Sequence, residues 1–141
     1  VVWGSSQFIT GKLTDKIGRM IPIISGMWLC AIGVLSTVMW FDDFVGWGIS
    51  ATITGFGMAL LYPTLSAAVS DISHPLWRGS AVGIYRFWRD LGYGIGALAL
   101  GILAQITGQL ETGFYLVSIS MFVSGALVWW LAEETHVARV H

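Results

Sequence analysis

Arg86, Arg89 and Asp90 are the ionisable residues whose types and spacing best suit chemistry, because all three fall inside a long apolar stretch. A charge at the centre of a bilayer costs about 2.5–3.5 kcal/mol, so these side chains are not expected to face lipid there. Arg86 and Asp90 are four residues apart and can pair on one helix face, whereas Arg89 is expected to point elsewhere. Two interpretations remain open. In one, the cluster lies at the membrane interface and its long side chains reach water; in the other, it forms a gate or an anion-attracting site at the inner mouth of a cavity.

Few other groups in the chain suit covalent chemistry. Cys30 is the only cysteine, so the sequence offers neither an intrachain disulfide nor a pair of cysteines for a metal. The apolar stretches contain no nucleophile–base pair, and no phosphate-binding loop occurs, so ATP drive is unsupported. We therefore expect no enzymatic activity, no metal and no cofactor. The net charge of −1 argues against a nucleic-acid partner.

The composition is that of an integral membrane protein. Charged residues make up 11% of the 141 residues, whereas a soluble globular domain carries roughly 25%. The mean hydropathy of +0.74 leaves too few polar residues to cover the surface of a soluble fold. Disorder is excluded because it would leave far too much apolar surface in water.

The apolar stretches predict membrane-spanning helices. A helix needs roughly 20 mostly apolar residues to cross about 30 Å of hydrocarbon. Stretches that meet this length lie at 21–41, 44–69, 79–106 and 113–131. Shorter or more polar segments are expected to be the end of a preceding helix, a loop and a tail, at 1–9, 10–20 and 132–141. Because the long stretches lack apolar/polar alternation, strands are not expected, and the predicted fold class is an all-α, polytopic membrane helix bundle.

The basic residues predict the orientation of these spans. All seven Lys and Arg residues fall in segments that four crossings place on one side of the membrane. The opposite loops contain Asp42, Asp43 and Glu111, with no Lys or Arg. Cytoplasmic loops carry the excess of basic residues, so the basic loops and the C-terminal end are expected to be cytoplasmic in a cell (inner) membrane.

Small residues in the third span predict helix packing. Three pairs are spaced four residues apart, namely Gly79 and Gly83, Gly92 and Gly96, and Ala97 and Gly101. This spacing places small residues on one helix face, where another backbone can approach closely.

The loop before the first full span carries the most specific motif. Gly11, Leu13, Asp15, Gly18 and Arg19 occur in a charged cluster bounded by glycines that allow a tight reversal. This run resembles the loop motif of the major facilitator superfamily, glycine-x-leucine-x-aspartate-x-x-glycine-arginine. In that family the aspartate holds a cytoplasmic gate closed through a helix N-terminus and basic partners in the other half, so the resemblance gives Asp15 this role.

A second run places the chain within that family. The segments Leu61-Tyr62-Pro63-Thr64-Leu65 and Tyr85-Arg86-Phe87-Trp88-Arg89-Asp90-Leu91-Gly92 resemble the junction of the tenth and eleventh helices in bacterial members. The resemblance implies that the chain runs from the end of the eighth helix through the twelfth. It also implies that the tenth and eleventh helices line a central cavity, while the ninth and twelfth face lipid. Tyr62 and Pro63 then become cavity or gate candidates, and Pro63 either kinks its helix or marks the helix end.

The resemblance implies transport of a small solute by alternating access, as a secondary active transporter or a facilitator. Its partners would be the lipid bilayer, the solute, a coupling ion where an ion gradient drives transport, and the N-terminal half of the same transporter. The chain begins Val1-Val2-Trp3 without an initiator methionine, and we expect a C-terminal fragment. The alternatives are an inactive truncated remnant and a membrane-integral enzyme.

Overall fold

The computed structural model describes residues 17–40 and 43–131. This part of the chain contains four helices and no strand, and each helix is long and apolar enough to cross a membrane. We number them α1 (Met20–Met39), α2 (Phe44–Ile72), α3 (Arg78–Thr107) and α4 (Glu111–Leu131). The predicted all-α membrane fold class is confirmed. The second predicted span ends at Val69, whereas α2 continues to Ile72.

Helices α1 and α2 form a closely packed antiparallel pair. A Cβ atom added to Gly26 would lie 2.9 Å from the carbonyl oxygen of Gly57, and one added to Gly57 would lie 2.7 Å from the backbone nitrogen of Cys30. The two backbones therefore approach each other to a distance that no larger residue permits. Ser36 and Ser50 join the same helices through a hydrogen bond of 2.9 Å between their hydroxyls, so these polar atoms are satisfied inside the contact.

Helix α4 packs against the same helix α1. The Ser118 hydroxyl donates to the carbonyl oxygen of Ala31 at 2.9 Å, and Ser118 is 2% exposed. The rings of Trp28 and Trp129 meet edge to face, with centroids 6.4 Å apart. Helix α1, which the resemblance placed towards lipid, therefore contacts both α2 and α4 and contributes more buried residues than any other described helix.

Helix α3 lies at the margin of the described chain. It contacts α2 and α4 only sparingly and has no buried residue. The predicted packing seam meets no neighbour within the described residues, because a Cβ atom added at any of the predicted glycines would have nothing within 4 Å: Gly79, Gly83, Gly92, Gly96 and Gly101. Small residues permit a close approach but do not choose the partner, and the glycines that are used lie on α1, α2 and α4.

The helix ends are fixed by local hydrogen bonds. The Asp43 carboxylate caps the N-terminus of α2, accepting from the backbone N–H groups of Val45 at 3.2 Å and Gly46 at 3.1 Å. The cap satisfies two backbone N–H groups that the first turn of a helix otherwise leaves without a partner. Gly108 ends α3 with φ of 69°, a left-handed conformation that glycine adopts without strain.

Candidate functional site

A cavity of about 550 Å³ lies between α2 and α3. Its volume falls within the range of roughly 300–1,000 Å³ that small-molecule sites occupy. The lining combines apolar, phenolic and cationic side chains: Met58, Tyr62, Pro63, Ser66, Arg86, Arg89 and Tyr93. Four of the five cavity or gate candidates from the sequence are thus brought together at one site, and Asp90, the fifth, contacts one of them.

Tyrosine side chains connect the two helices across this cavity. The hydroxyl of Tyr62 on α2 forms a hydrogen bond with the hydroxyl of Tyr93 on α3. The guanidinium carbon of Arg89 lies 6.0 Å from the ring centroid of Tyr62 and 6.0 Å from that of Tyr85. A guanidinium at this distance from aromatic faces is attracted by their negative electrostatic potential. Arg89 is therefore held between one ring of α2 and one ring of α3.

The carboxylate of Asp90 pairs with Arg89. The nitrogens Nε and Nη2 of Arg89 lie 2.9 Å and 2.8 Å from Oδ1 of Asp90. The predicted pairing of Arg86 with Asp90 is wrong, as is the expectation that Arg89 points elsewhere. Four-residue spacing permits a pair on one helix face, but the long Arg89 side chain folds back to its neighbour while its guanidinium stays beside the tyrosine rings.

The cavity lies well inside the span. Arg86 and Arg89 follow the first residue of α3, Arg78, by eight and eleven residues, which places them about 12 Å and 16 Å along the helix from its start. The midpoint of α3 falls between Gly92 and Tyr93, only about 5 Å beyond Arg89. Ionisable residues at such depth normally face a protein interior or a water-filled cavity.

Pro63 lies inside α2, nine residues before the helix ends at Ile72. The alternative that Pro63 marks the helix end is therefore wrong. Proline has no backbone N–H, so it removes one hydrogen-bond donor from the helix beside the cavity. Its neighbour Thr64 is fully buried and donates its hydroxyl to the carbonyl oxygen of Leu60 at 2.5 Å.

A second group of charges joins the predicted motif loop to α2. Nε of Arg19 donates to Oδ2 of Asp71 at 3.0 Å, and the side chains are only 11% and 32% exposed. Gly18 has φ of 97°, which only glycine adopts readily, so the predicted tight reversal needs a glycine here. The motif residues Gly11, Leu13 and Asp15 lie outside the described residues.

Asp71 is a residue of this charge group that the sequence pattern did not single out. It is one of few acidic residues near the basic end of the spans, and it follows a long apolar stretch directly. Its isolation among basic residues was the available signal. That signal does not identify which of several Lys and Arg side chains the carboxylate binds.

Comparison with known proteins identifies the family. The family model described as Major Facilitator Superfamily matches residues 3–140 of the chain. The chain belongs to the Major Facilitator Superfamily. The family and the four apolar helices together support a multi-pass membrane protein.

Several curated proteins resemble this Major Facilitator Superfamily chain. An uncharacterized MFS-type transporter of Salmonella typhimurium is 29% identical over 131 residues, which are 92% of this chain and 33% of the relative. An uncharacterized MFS-type transporter of Methanocaldococcus jannaschii is 38% identical over 102 residues, 70% of this chain and 25% of the relative. The multidrug resistance protein MdtH of Cronobacter sakazakii is 29% identical over 125 residues, 87% and 30% of the two chains. The chain thus spans a quarter to a third of the length of these relatives. No solved structure matches it.

Proposed function

We propose that the full-length protein moves a small solute across the cell (inner) membrane by alternating access, and that the cavity between α2 and α3 lines the solute path. The observation that carries this proposal is the position of Arg86 and Arg89, which line a cavity two to three turns inside a membrane span. Charges at that depth need water, a partner or a ligand. A solute pathway gives the two arginines water when it is empty and a ligand when the solute is bound, and no covalent chemistry is required.

The proposal gives the described helices their places in the family architecture. Helices α1 to α4 correspond to the ninth to twelfth helices of a transporter, with their basic ends cytoplasmic. Gly79, Gly83 and Gly101, which share one face of α3 by helical spacing and meet nothing in the described chain, then have a neighbour in the N-terminal half. Such small-residue faces allow close helix approach in membranes. The partners are therefore that half, the bilayer, the solute and, for active transport, a coupling ion.

The motif loop is proposed as a cytoplasmic gate. The bond between Arg19 and Asp71 ties the start of α1 to the far end of α2, which supports a loop held in one arrangement. Asp15, the motif aspartate, would hold this gate closed on the other half. Asp15→Asn is then expected to impair transport while the amount of protein in the membrane stays nearly normal. Asp43→Asn, at the opposite end of the spans, is the matched control and is expected to leave transport unchanged.

Cysteine labelling tests the proposed path without knowledge of the solute. Ser66 lines the cavity, whereas Ser120 is exposed on α4, away from it. In the full-length protein with Cys30 and any other native cysteine replaced, Ser66→Cys should react with a membrane-impermeant maleimide added to either side of vesicles. Ser120→Cys should react from neither side, because its surroundings are lipid.

The two-sided reaction separates alternating access from the other interpretations. Labelling of Ser66→Cys from one side only would indicate a fixed vestibule and would contradict the proposed transport cycle. Adding Asp15→Asn should raise labelling of Ser66→Cys from the cytoplasmic side, because a gate that no longer closes exposes the cavity there. In an inactive remnant, Asp15→Asn would not alter the labelling of Ser66→Cys.

A further inference from the structure

We infer that the cavity between α2 and α3 binds an organic monoanion, an aromatic carboxylate, whose carboxylate is held by Arg86 and whose ring lies against the tyrosines. The inference rests on the proposed function and specifies the class of solute. It follows from the charges, the shape and the side-chain chemistry of the described cavity.

The charges of the cavity leave one positive charge for a ligand. Arg86 and Arg89 both line the cavity. Asp90 neutralises Arg89 through contacts of 2.8 Å and 2.9 Å. Within residues 17–40 and 43–131, no carboxylate pairs with Arg86. One uncompensated guanidinium inside a membrane span therefore attracts one anionic group and repels a cation.

The guanidinium group favours a carboxylate over a simple halide ion. Its planar fork of N–H donors matches the two oxygens of a carboxylate in a bidentate arrangement. Ser66, one wall of the same cavity, is hydrogen-bonded to Tyr85 and adds polar surface to the site. Arg89 is engaged by Asp90 and by two tyrosine rings, so Arg86 is the residue with donors to offer.

The remaining walls suit a ring. Tyr62 and Tyr93 are joined through their hydroxyls and present their rings to the cavity, and Met58 and Pro63 supply apolar surface. Aromatic rings bury a large apolar area and prefer offset or edge-to-face contacts with one another. A cavity of about 550 Å³ is larger than a small inorganic anion requires. A ring with one carboxylate fills both the polar and the apolar parts of this site.

Asp90 acts in this scheme as a positioning residue that also sets the charge of the site. It does not line the cavity, but it holds the guanidinium of Arg89 and cancels its charge. Asp90→Asn should leave two uncompensated guanidinium groups. The affinity for a dicarboxylate should then rise relative to that for a monocarboxylate, a change of selectivity that a merely structural role would not produce.

Three probes of one shape and different charge test the inference. Benzoate is an anion, benzamide is neutral and benzamidine is a cation at pH 7, while their rings and planar heads match. Binding is measured at equilibrium on the purified full-length protein in detergent, with radiolabelled benzoate in saturation and the other probes as competitors. Benzoate should bind at least about tenfold more tightly than benzamide, because a hydrogen bond to a charged group is lost. Benzamidine should not compete.

Two variants localise the binding. Arg86→Gln should weaken benzoate binding by about tenfold or more. Arg78→Gln is the matched control, since Arg78 lies at the start of α3 outside the cavity and donates to the backbone of Ser70. It should bind benzoate as the unaltered protein does. In Asp90→Asn, isophthalate should gain affinity over benzoate.

The outcomes separate this inference from the proposed function. Competition by benzamidine that equals or exceeds that of benzamide, unchanged benzoate binding in Arg86→Gln, or no saturable benzoate binding up to about 10 mM would each overturn it. If Arg86→Gln does not fold, the ranking of the three probes on the unaltered protein decides. Benzoate binding with one-sided labelling of Ser66→Cys would keep the anion site and refute transport. Two-sided labelling of Ser66→Cys with a preference for benzamidine would keep the transport proposal and refute the anion site.

Discussion

Gly57→Ala is expected to destabilise the contact between α1 and α2, because the added methyl group meets backbone atoms as well as Sγ of Cys30. The new carbon would lie 2.7 Å from the backbone nitrogen of Cys30 and 2.8 Å from the carbonyl oxygen of Gly26. To reach 3.4 Å, where ordinary contact begins, the helices must separate by about 0.7 Å. Neither helix can relieve this clash by turning one side chain, so the whole contact opens.

The size of the effect follows from that separation. A gap of about 0.5–1 Å removes a quarter to a half of the dispersion energy of each atom pair. Overpacking of a well-packed contact typically costs about 1–3 kcal/mol, and we place Gly57→Ala at about 2–3 kcal/mol because two backbone segments are involved. The same opening would lengthen the hydrogen bond between Ser36 and Ser50 in the neighbouring turns.

Gly48→Ala on the same helix is the matched control. Nothing lies within 4 Å of a Cβ atom added at Gly48, so alanine should be neutral or stabilise by up to about 1 kcal/mol through its higher helix propensity. Free energies of unfolding would be measured on the full-length protein in mixed micelles of rising dodecyl sulfate content, by tryptophan fluorescence. Equal free energies for the two variants would refute the argument that Gly57 is required by a close backbone approach.

Three further tests apply the same unfolding measurement to other parts of the structure. Gly18→Ala should lower the free energy of unfolding by about 1–2 kcal/mol because its φ of 97° is strained for alanine. A free energy of unfolding equal to that of Gly48→Ala would contradict this. Arg19→Gln and Asp71→Asn should show a coupling of about 1–2 kcal/mol in a double-mutant cycle, as expected for a half-buried pair; additive losses would show that the 3.0 Å contact contributes nothing. Asp43→Ala should cost about 1 kcal/mol through loss of the N-cap, and Asp43→Ser should restore most of it.

The number and type of helices could be predicted from the sequence because composition alone decides them. Long apolar stretches have no stable alternative to helix in a bilayer, where every backbone polar group needs a partner. The proximity of Tyr62, Pro63, Arg86 and Arg89 was also within reach, since polar residues inside spans gather at shared cavities. The motif spacing identified the family independently of any of these positions.

Choices among equivalent partners could not be predicted. Asp90 had one arginine beside it and another four residues away, and sequence spacing favoured the one that the structure does not use. The same holds for Asp71, which had several basic residues to choose from, and for the glycines of α3, whose pattern resembles that of a packed helix. In each case the partner depends on how the helices are arranged in space, which local spacing does not encode.

The bond between Ser118 and Ala31 joins residues 87 positions apart, and this separation sets an order of assembly. Helices α1 and α2 can pair as soon as both are inserted, because only a few residues separate them in the sequence. Helix α4, the last helix of the described chain, can pack against α1 only after α3, which it contacts sparingly, has been inserted. Until α4 is inserted, the side of α1 that α4 later covers is exposed to other proteins in the membrane. A nascent chain stalled before α4 therefore leaves the Ala31 carbonyl without the Ser118 hydroxyl that covers it in the folded chain.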